Sequence, residues 1–258
     1  MASSSAFFQE RGYKSVTDPK DGLVQYALHT ELNTFEYMAT KPALLKDFNL
    51  FMGNAIGPRR TWIDWFPVKE RILDGANPET ALVVDIAGGK GHDLVAFEKK
   101  YPGKKLILED LETVISTLGD IPGIQKVSYD FFAEQPVTGT PLLSLYMYML
   151  TNLGARVYFC HHILHDWSDE HCLSILRNAS KAMTKGYSKL LIHEMIVPEK
   201  DASLFIAQMD IAMMAFNGGL ERTKAQWVDL LDRAGLKVIM VWDAPDEGGD
   251  GVVEAELY

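Results

Sequence analysis

Cysteine is almost missing from this chain: Cys160 and Cys172 are the only two in 258 residues. So placed, they make neither a disulfide framework nor a CxxC metal site. Positive charge is also in short supply. Lys and Arg number 25 against 35 Asp and Glu, which leaves a formal charge of -10. That balance argues against a nucleic acid or an anionic membrane surface as partner, and it suits an enzyme acting on a neutral or cationic small molecule. No apolar run reaches the length needed to cross a bilayer. The opening MASSSAFFQERGYK has no basic start followed by an apolar core, so export is not expected and the cytosol is the expected compartment. The HExxH pattern of metalloproteases and the GxGxxG turn of dinucleotide enzymes are both missing. There are no internal repeats.

The densest signal that is present lies in residues 82–94, LVVDIAGGKGHDL. Leu82, Val83 and Val84 form a short apolar run, of the kind carried by a strand buried on both faces. Asp85 ends the run, and Gly88, Gly89 and Gly91 follow. A helical pattern starts near His92 and takes Leu94, Val95 and Phe97 inward. Strand, glycine turn and helix together bring a backbone close to a ligand and point helix amides at it. A tight turn in any α/β protein would look similar. A second apolar run, Leu106 to Leu108, ends in Glu109 and Asp110. An acid about 20 residues past a glycine turn is where a nucleoside ribose is held by its hydroxyls. A carboxylate only accepts hydrogen bonds, and a vicinal diol offers two donors. Asp110 could also cap the next helix, and Glu109 could take either role. Asp110 is preferred because Leu111 follows it, placed to lie against an adenine face.

From Ala81 onward, apolar strands at 81–87, 105–109, 124–128, 156–160, 188–194 and 236–242 alternate with amphipathic helices. This predicts an α/β fold whose mostly parallel sheet is covered on both faces. The stretch VIMVWDAPDEGGDGVVEAEL reads as strand, turn and strand. A hairpin therefore reverses the 252–257 segment, which closes a seven-stranded sheet as its antiparallel last strand. Residues 1–60 read as helical, with Pro42 and Gly57-Pro58 as breaks. Phe35, Met38, Leu44, Leu45, Phe48, Phe51 and Met52 recur there at helical spacing, for which core is the default reading.

Residues 156–176, RVYFCHHILHDWSDEHCLSIL, concentrate His161, His162, His165, Asp166, Asp169, Glu170 and His171 around Trp167. Ile163 and Leu164 interrupt the cluster, and no facial carboxylate triad shows in the pattern, so no metal is expected. Four ordered motifs are more specific: D-x-A-G-G-K-G from Asp85, HxxxHDWSDE from His161, LLIHEMIVPE, and NGGLERT. Together they resemble the class I small-molecule O-methyltransferases that use S-adenosylmethionine (SAM). The caffeic-acid and flavonoid enzymes, and their fungal relatives in secondary metabolism, are the nearest type. The resemblance runs from about Gly12 to Tyr258. It puts Ala87 in the first glycine slot of the D-x-G-x-G-x-G signature. It implies a Rossmann-like methyltransferase fold, SAM as cofactor, and the hydroxyl of a small aromatic molecule as methyl acceptor.

The resemblance also implies roles for individual residues. His165 matches the family's general base. A phenol ionises at about 10, whereas an imidazole titrating at about 6.5 can take its proton as oxygen attacks the methyl. Glu194 and Glu221 match the two acids that flank this base, although a strand-end cap and a surface turn are their plainer readings. Ala87 and Gly89 match the turn that approaches the methionine part of the cofactor. Asp110 matches the ribose ligand, with Leu111 beside it. Asp130, Phe131 and Trp167 match the adenine contacts, and His161 stands where many relatives place Lys or Arg. On the acceptor side, Met52 and Met213 match a pair of thioethers that hold the ring, and thioethers pack well on aromatic faces. Ordinary helix core explains both methionines nearly as well. Asp166 and Asn217 complete the acceptor set.

Relatives carry a helical, winged-helix-like dimerisation domain of roughly 100 residues ahead of the catalytic domain. On that basis residues 1–60 are a remnant of that domain and residues 61–258 are the catalytic domain. Family members pair as homodimers through the missing part, so strong pairing is not expected here. Residues 140–154, TPLLSLYMYMLTNLG, fit no family element. They would form an extra helix or hairpin over the site, or they are an unspliced intron translated in frame. The second is preferred, because the flanks join cleanly without them. Two other functions compete with methyl transfer. One is a methyltransferase-like binding protein without turnover, which the retained base argues against. The other is a nicotinamide oxidoreductase, which the missing GxGxxG disfavours.

Overall fold

Strands that read as unbroken apolar runs do so because both faces of their sheet are covered. The computed structural model describes residues 3–55, 61–138, 153–245 and 249–258, with backbone alone for Asn49 and for residues 51–55. Its main sheet has seven strands. In spatial order they are β3 (Ile124–Ser128), β2 (Leu106–Asp110), β1 (Val83–Ile86), β4 (Val157–His161), β5 (Lys189–Glu194), β9 (Gly251–Leu257) and β8 (Leu236–Trp242). The first five are mutually parallel, while β9 runs antiparallel to both β5 and β8. The reversed final strand is therefore borne out, although it lies between its neighbours rather than at the edge.

Alternation along each strand builds two cores. Val84, Ile86, Tyr158, Cys160, Leu190, Ile192, Val253 and Ala255 pack on one face against α7 (Asp169–Ala182) and α9 (Lys224–Arg233). Val83, Leu108, Val157, Phe159, Leu191 and Val252 pack on the other against Trp62, Phe66 and α5 (His92–Lys100). A buried polar cluster pins the register of β9. Glu254 is fully buried opposite Leu191. Its carboxylate accepts from Lys189 Nζ at 2.7 Å, Arg71 Nε at 3.0 Å and Trp242 Nε1 at 3.1 Å. A one-residue slip would strand that charge in an apolar layer, which is far costlier than losing one contact.

Residues 4–55 are helical, as expected, in α1 (Ser4–Glu10), α2 (Leu23–Leu28), α3 (Thr34–Ala39) and α4 (Pro42–Ala55). They pack on α8 (Leu204–Asn217) and on the Trp167 loop. The Thr34 amide donates to Asn217 Oδ1 at 3.3 Å, and its hydroxyl donates to the Phe216 carbonyl. Phe35 stacks on Trp167 with ring centres 6.2 Å apart and meets Phe216 edge-on at 5.3 Å.

Some expectations need correcting. Val95 is 47% exposed and Leu44 45% exposed, so neither lies in a core. On α5 the buried stripe passes through Leu94 and Phe97, and Val95 falls a third of a turn off it. A short parallel pair, β6 (Ile196–Val197) with β7 (Arg222–Thr223), was not anticipated, because two-residue strands leave no periodicity. The side chains of Phe51 and Met52, Gly57-Pro58, and residues 140–152 of the unusual insert lie outside the described residues. Among the described residues, no helix is long and apolar enough to cross a membrane.

Candidate active site

The strand order reverses between β1 and β4, and in open α/β sheets a ligand crevice lies outside the strand carboxyl ends at such a point. The glycine turn sits there. Ala87 (φ 58°), Gly89 (φ 59°) and Gly91 (φ 74°) all adopt the left-handed region. A Cβ at Gly88 would fall 2.3 Å from Asp85 Oδ2 and 2.6 Å from Leu108 Cδ1, so only glycine fits. Among the described residues nothing stands within 4 Å of a Cβ built on Gly89, which leaves that face of the turn open to a ligand. Beneath the turn, Asp85 is fully buried, and neither carboxyl oxygen has a partner among the described residues. Burial, then the charges of Asp93, Asp110 and Glu109, push its pKa well up.

Asp110 ends β2 facing the turn. Its Oδ2 accepts from the Gly89 amide at 2.8 Å and its Oδ1 from the Leu111 amide at 2.7 Å. Each oxygen keeps a second lone pair, which is what a ribose diol requires. Glu109 points the other way, into the core, where its Oε2 accepts from Gln135 at 2.9 Å. Leu111 is 48% exposed at the crevice rim. Past β3, the exposed Asp130 accepts from the Phe132 amide at 2.9 Å. Phe131 and Phe132 both meet Trp167 edge-on, with ring centres 5.9 and 4.9 Å away. The three rings form one aromatic corner past the ends of β3 and β4.

His165 rides a 3₁₀ turn, Leu164–Asp166, just after β4. Its Nδ1 lies 2.9 Å from Glu221 Oε1 and 3.5 Å from Glu194 Oε2, and both carboxylates are buried. Glu194 is fixed in turn: its Oε1 accepts from the Ile163 and Leu164 amides, both at 2.9 Å. The β6–β7 pair starts just after the two acids, with Ile196 opposite Arg222, and so holds them together. With Nδ1 engaged, Nε2 is the nitrogen left for a substrate; Asp166 Oδ1 is 3.9 Å from it. Burial lowers the His165 pKa, but Glu194, Glu221 and Asp166 outweigh it and bring the group up to about 10. Burial raises Asp166 to about 7.

The other expected residues are more scattered. Met213 is half-buried on α8. Asn217 is fully buried; its Oδ1 is taken by Thr34, and its Nδ2 has no partner among the described residues. His161 Nδ1 meets Asp93 Oδ2 at 2.7 Å, so its partner is an acid on α5. Sequence reasoning missed Arg222, which has no exposed surface. Its guanidinium donates to the Leu164 and Trp167 carbonyls, both at 3.0 Å, and pairs with Asp169 at 2.9 Å. It thus clamps the turn that carries His165. Its place next to Glu221 was the one available hint. Gly219 was likewise unremarked, yet a Cβ there would sit 2.0 Å from the His165 carbonyl oxygen. A surface cavity of about 300 Å³ lined by Ala81, Lys105 and Gln125 opens at the opposite ends of β1–β3 and touches none of these groups.

Fold and site together place the protein among doubly wound α/β proteins with a glycine turn at the switch point and an imidazole–dicarboxylate centre beside it. Within that class, residues 69–237 match the family model of the O-methyltransferase domain, and the chain belongs to that family. It is 54% identical over 258 residues to the O-methyltransferase penC of Penicillium thymicola, covering 99% of this chain and 61% of penC. Two solved structures superpose with a TM-score of 0.85 at 29% identity: a LepI variant in complex with SAH and a substrate analogue, and OxaC in complex with sinefungin and meleagrin. Both matches cover 100% of this chain, and they cover 63% and 62% of those chains. The chain therefore spans about three fifths of the length of the proteins it matches.

Proposed function

We propose that the protein is a SAM-dependent O-methyltransferase acting on the hydroxyl, phenolic in type, of a small aromatic metabolite, with His165 as general base. The observation that carries this reading is the His165 centre: one imidazole nitrogen held by two buried carboxylates, the other left for an acceptor. The residues at the crevice fit the cofactor. Gly89 offers an open face, Asp110 offers acceptors to a diol, and Phe131 with Trp167 offers an aromatic slot. The SAH bound to LepI supports the same cofactor type here.

When bound, SAM supplies an electrophilic sulfonium methyl and a positive charge. His165, at about 10, carries a proton at neutral pH in the cofactor-free protein. A second positive charge nearby favours the neutral imidazole. That imidazole then takes the hydroxyl proton on Nε2, and Glu194 and Glu221 stabilise the imidazolium that forms. A phenol ionises at about 10, and the two carboxylates keep the imidazole basic enough to narrow the gap to it. Phe35, Phe48 and Phe216 form an apolar wall near Trp167, with Phe48 and Phe216 stacked at 5.9 Å, which suits an aromatic acceptor. Residues 1–60 then serve the acceptor side, and residues 61–258 the chemistry.

Transfer of labelled methyl from SAM to a panel of phenols tests this reading. His165→Ala should keep SAM binding and lose roughly 10²–10⁴ in turnover, the usual contribution of a positioned base. Wild-type turnover in that variant would refute the assignment of the base. SAM binding with no methyl transfer to any hydroxyl would favour a binding protein instead.

A further inference from the structure

Four of the chain's seven histidines gather in one place. His161 ends β4, His162 and His165 follow it, and His193 sits opposite His161 in the β4–β5 register. The methyl-transfer reading uses His165 and gives His161 a place beside the cofactor, but it leaves His162 and the distant Asp250 without a task. We propose that His161, His162 and Asp250 form a binding site for one divalent transition-metal ion of the zinc or cobalt type.

The geometry starts from the backbone. β4 and β9 both pair with β5, so the end of β4 and the start of β9 meet above it, with His193 opposite both His161 and Val252. His162 is in the left-handed region, at φ 53°, which turns the chain sharply after His161. Consecutive residues in an ordinary strand would point to opposite faces. Here instead the two imidazole rings lie 4.5 Å apart. One ligand atom from each of His161, His162 and Asp250 falls within 4.8 Å of the others. His162 Nε2 and Asp250 Oδ2 are 3.1 Å apart. Two ligands on a tetrahedral ion with bonds of about 2.0–2.1 Å would be about 3.3 Å apart, so this pair is already at ligand spacing.

The chemistry of the donors then selects the ion. Two imidazoles and one carboxylate suit zinc, cobalt, nickel or ferrous iron, whereas magnesium and calcium prefer oxygen alone. Asp93 supplies what a metal-bound histidine commonly has. Its carboxylate, 2.7 Å from His161 Nδ1, accepts the proton there and turns the Nε2 lone pair outward. All three ligand side chains are largely buried, at 12%, 22% and 6% exposed, which limits the freedom lost on binding. Three protein ligands would leave one position open to solvent or to a small anion. The sequence pattern hid this triad because Asp250 is far from the histidines along the chain.

A competing site exists at His165, Glu194 and Glu221, whose ligand atoms also lie within 4.8 Å of one another. The experiment separates the two. The full chain is titrated with cobalt(II), followed by its visible absorption, and then back-titrated with zinc. One ion per chain, displaced by zinc, is expected. Asp250→Asn, His161→Gln and His162→Gln should each weaken binding at least tenfold, while Glu221→Gln should bind as wild type does. Asp93→Asn should weaken it by about tenfold or more, an effect typical of an outer partner of a metal-bound histidine. Circular dichroism checks that each variant folds, and the two histidine variants stand in should Asp250→Asn fail to. The absence of saturable binding would overturn the proposal. So would binding that survives in the folded His161 and His162 variants, or binding that Glu221→Gln abolishes. Because the readout needs neither SAM nor an acceptor, its outcome is independent of the methyl-transfer reading.

Discussion

Ala87 carries a Cβ where the backbone asks for none. Its φ of 58° lies in the left-handed region, which costs a non-glycine residue roughly 1–2 kcal/mol. Glycine would remove that strain but give back roughly 0.5–1 kcal/mol in backbone entropy. Ala87→Gly should therefore stabilise the fold modestly, by under about 1 kcal/mol, seen as a rise of a few degrees in the thermal midpoint. A fall in that midpoint would mean that the alanine methyl has a packing role. Asp110 allows a sharper test. Its carboxylate holds the Gly89 and Leu111 amides and, on our reading, the ribose. If the two ribose bonds are charge-assisted, each contributes about 1.5–3 kcal/mol. Asp110→Ala should then weaken SAM binding by about a hundredfold or more in calorimetry, whereas unchanged affinity would move the ribose elsewhere.

The element that matters most is the 3₁₀ turn of residues 164–166, because it sets where His165 points. Arg222 donates to the Leu164 carbonyl within it and to the Trp167 carbonyl just after it, and Cys172 Sγ meets the Leu164 carbonyl at 3.1 Å. Gly219 closes against it from below, with the Leu220 amide on the His165 carbonyl at 2.9 Å. A methyl at Gly219 would stand 2.0 Å from that oxygen and 2.6 Å from the Asp166 carbonyl carbon, so the turn must move. A catalytic group displaced by about 1 Å can lose about a hundredfold in rate. Gly219→Ala should thus lower kcat by that order while SAM affinity changes little, since the glycine turn after β1 is a separate element. Wild-type kcat in a folded Gly219→Ala would refute this role for the glycine. The central strands were legible within a residue or two, because a strand covered on both faces must be apolar almost throughout. Not legible were the two-residue β6 and β7, which are too short for a period. Arg222 and Asp250 were hidden for another reason: their roles depend on what tertiary folding sets beside them. The meeting of His165 with Glu194 and Glu221 was readable only through motif resemblance, since the three are far apart in sequence.

At the scale of the molecule, the buried titratable groups determine how stability follows pH. Burial raises Glu109 and Asp166 to about 7. Carboxyls held above their usual values bind protons in the folded state that the unfolded chain has lost, so stability falls as pH rises toward 7. Acid works the other way. Asp93 and Asp250 are buried but held low by histidine partners, and Glu254 is held low by Arg71 and Lys189. Burial keeps His193 well below its usual value. The stability from these groups is lost on acidification, as the carboxylates and His193 are forced to take up protons. Between about 7 and 9, His161, raised by Asp93 against its burial, contributes alongside His165. The pKa of His165 rises from 6.5 to about 10 on folding, so the stability it contributes is fully present below 6.5 and drains away as pH climbs through 10. The buried thiols of Cys160 and Cys172, also raised, add to the decline as pH nears about 8.5, where unfolded cysteine ionises. The thermal midpoint of the cofactor-free protein should therefore decline from pH 7 to 9. His165→Gln should lessen the decline in that window while leaving the acid limb in place, because the acid limb belongs to other residues. A wild-type midpoint that is level from pH 7 to 9 would mean that His165 is not held by its two acids as the structure shows, and the protonation step of the proposed mechanism would fall with it.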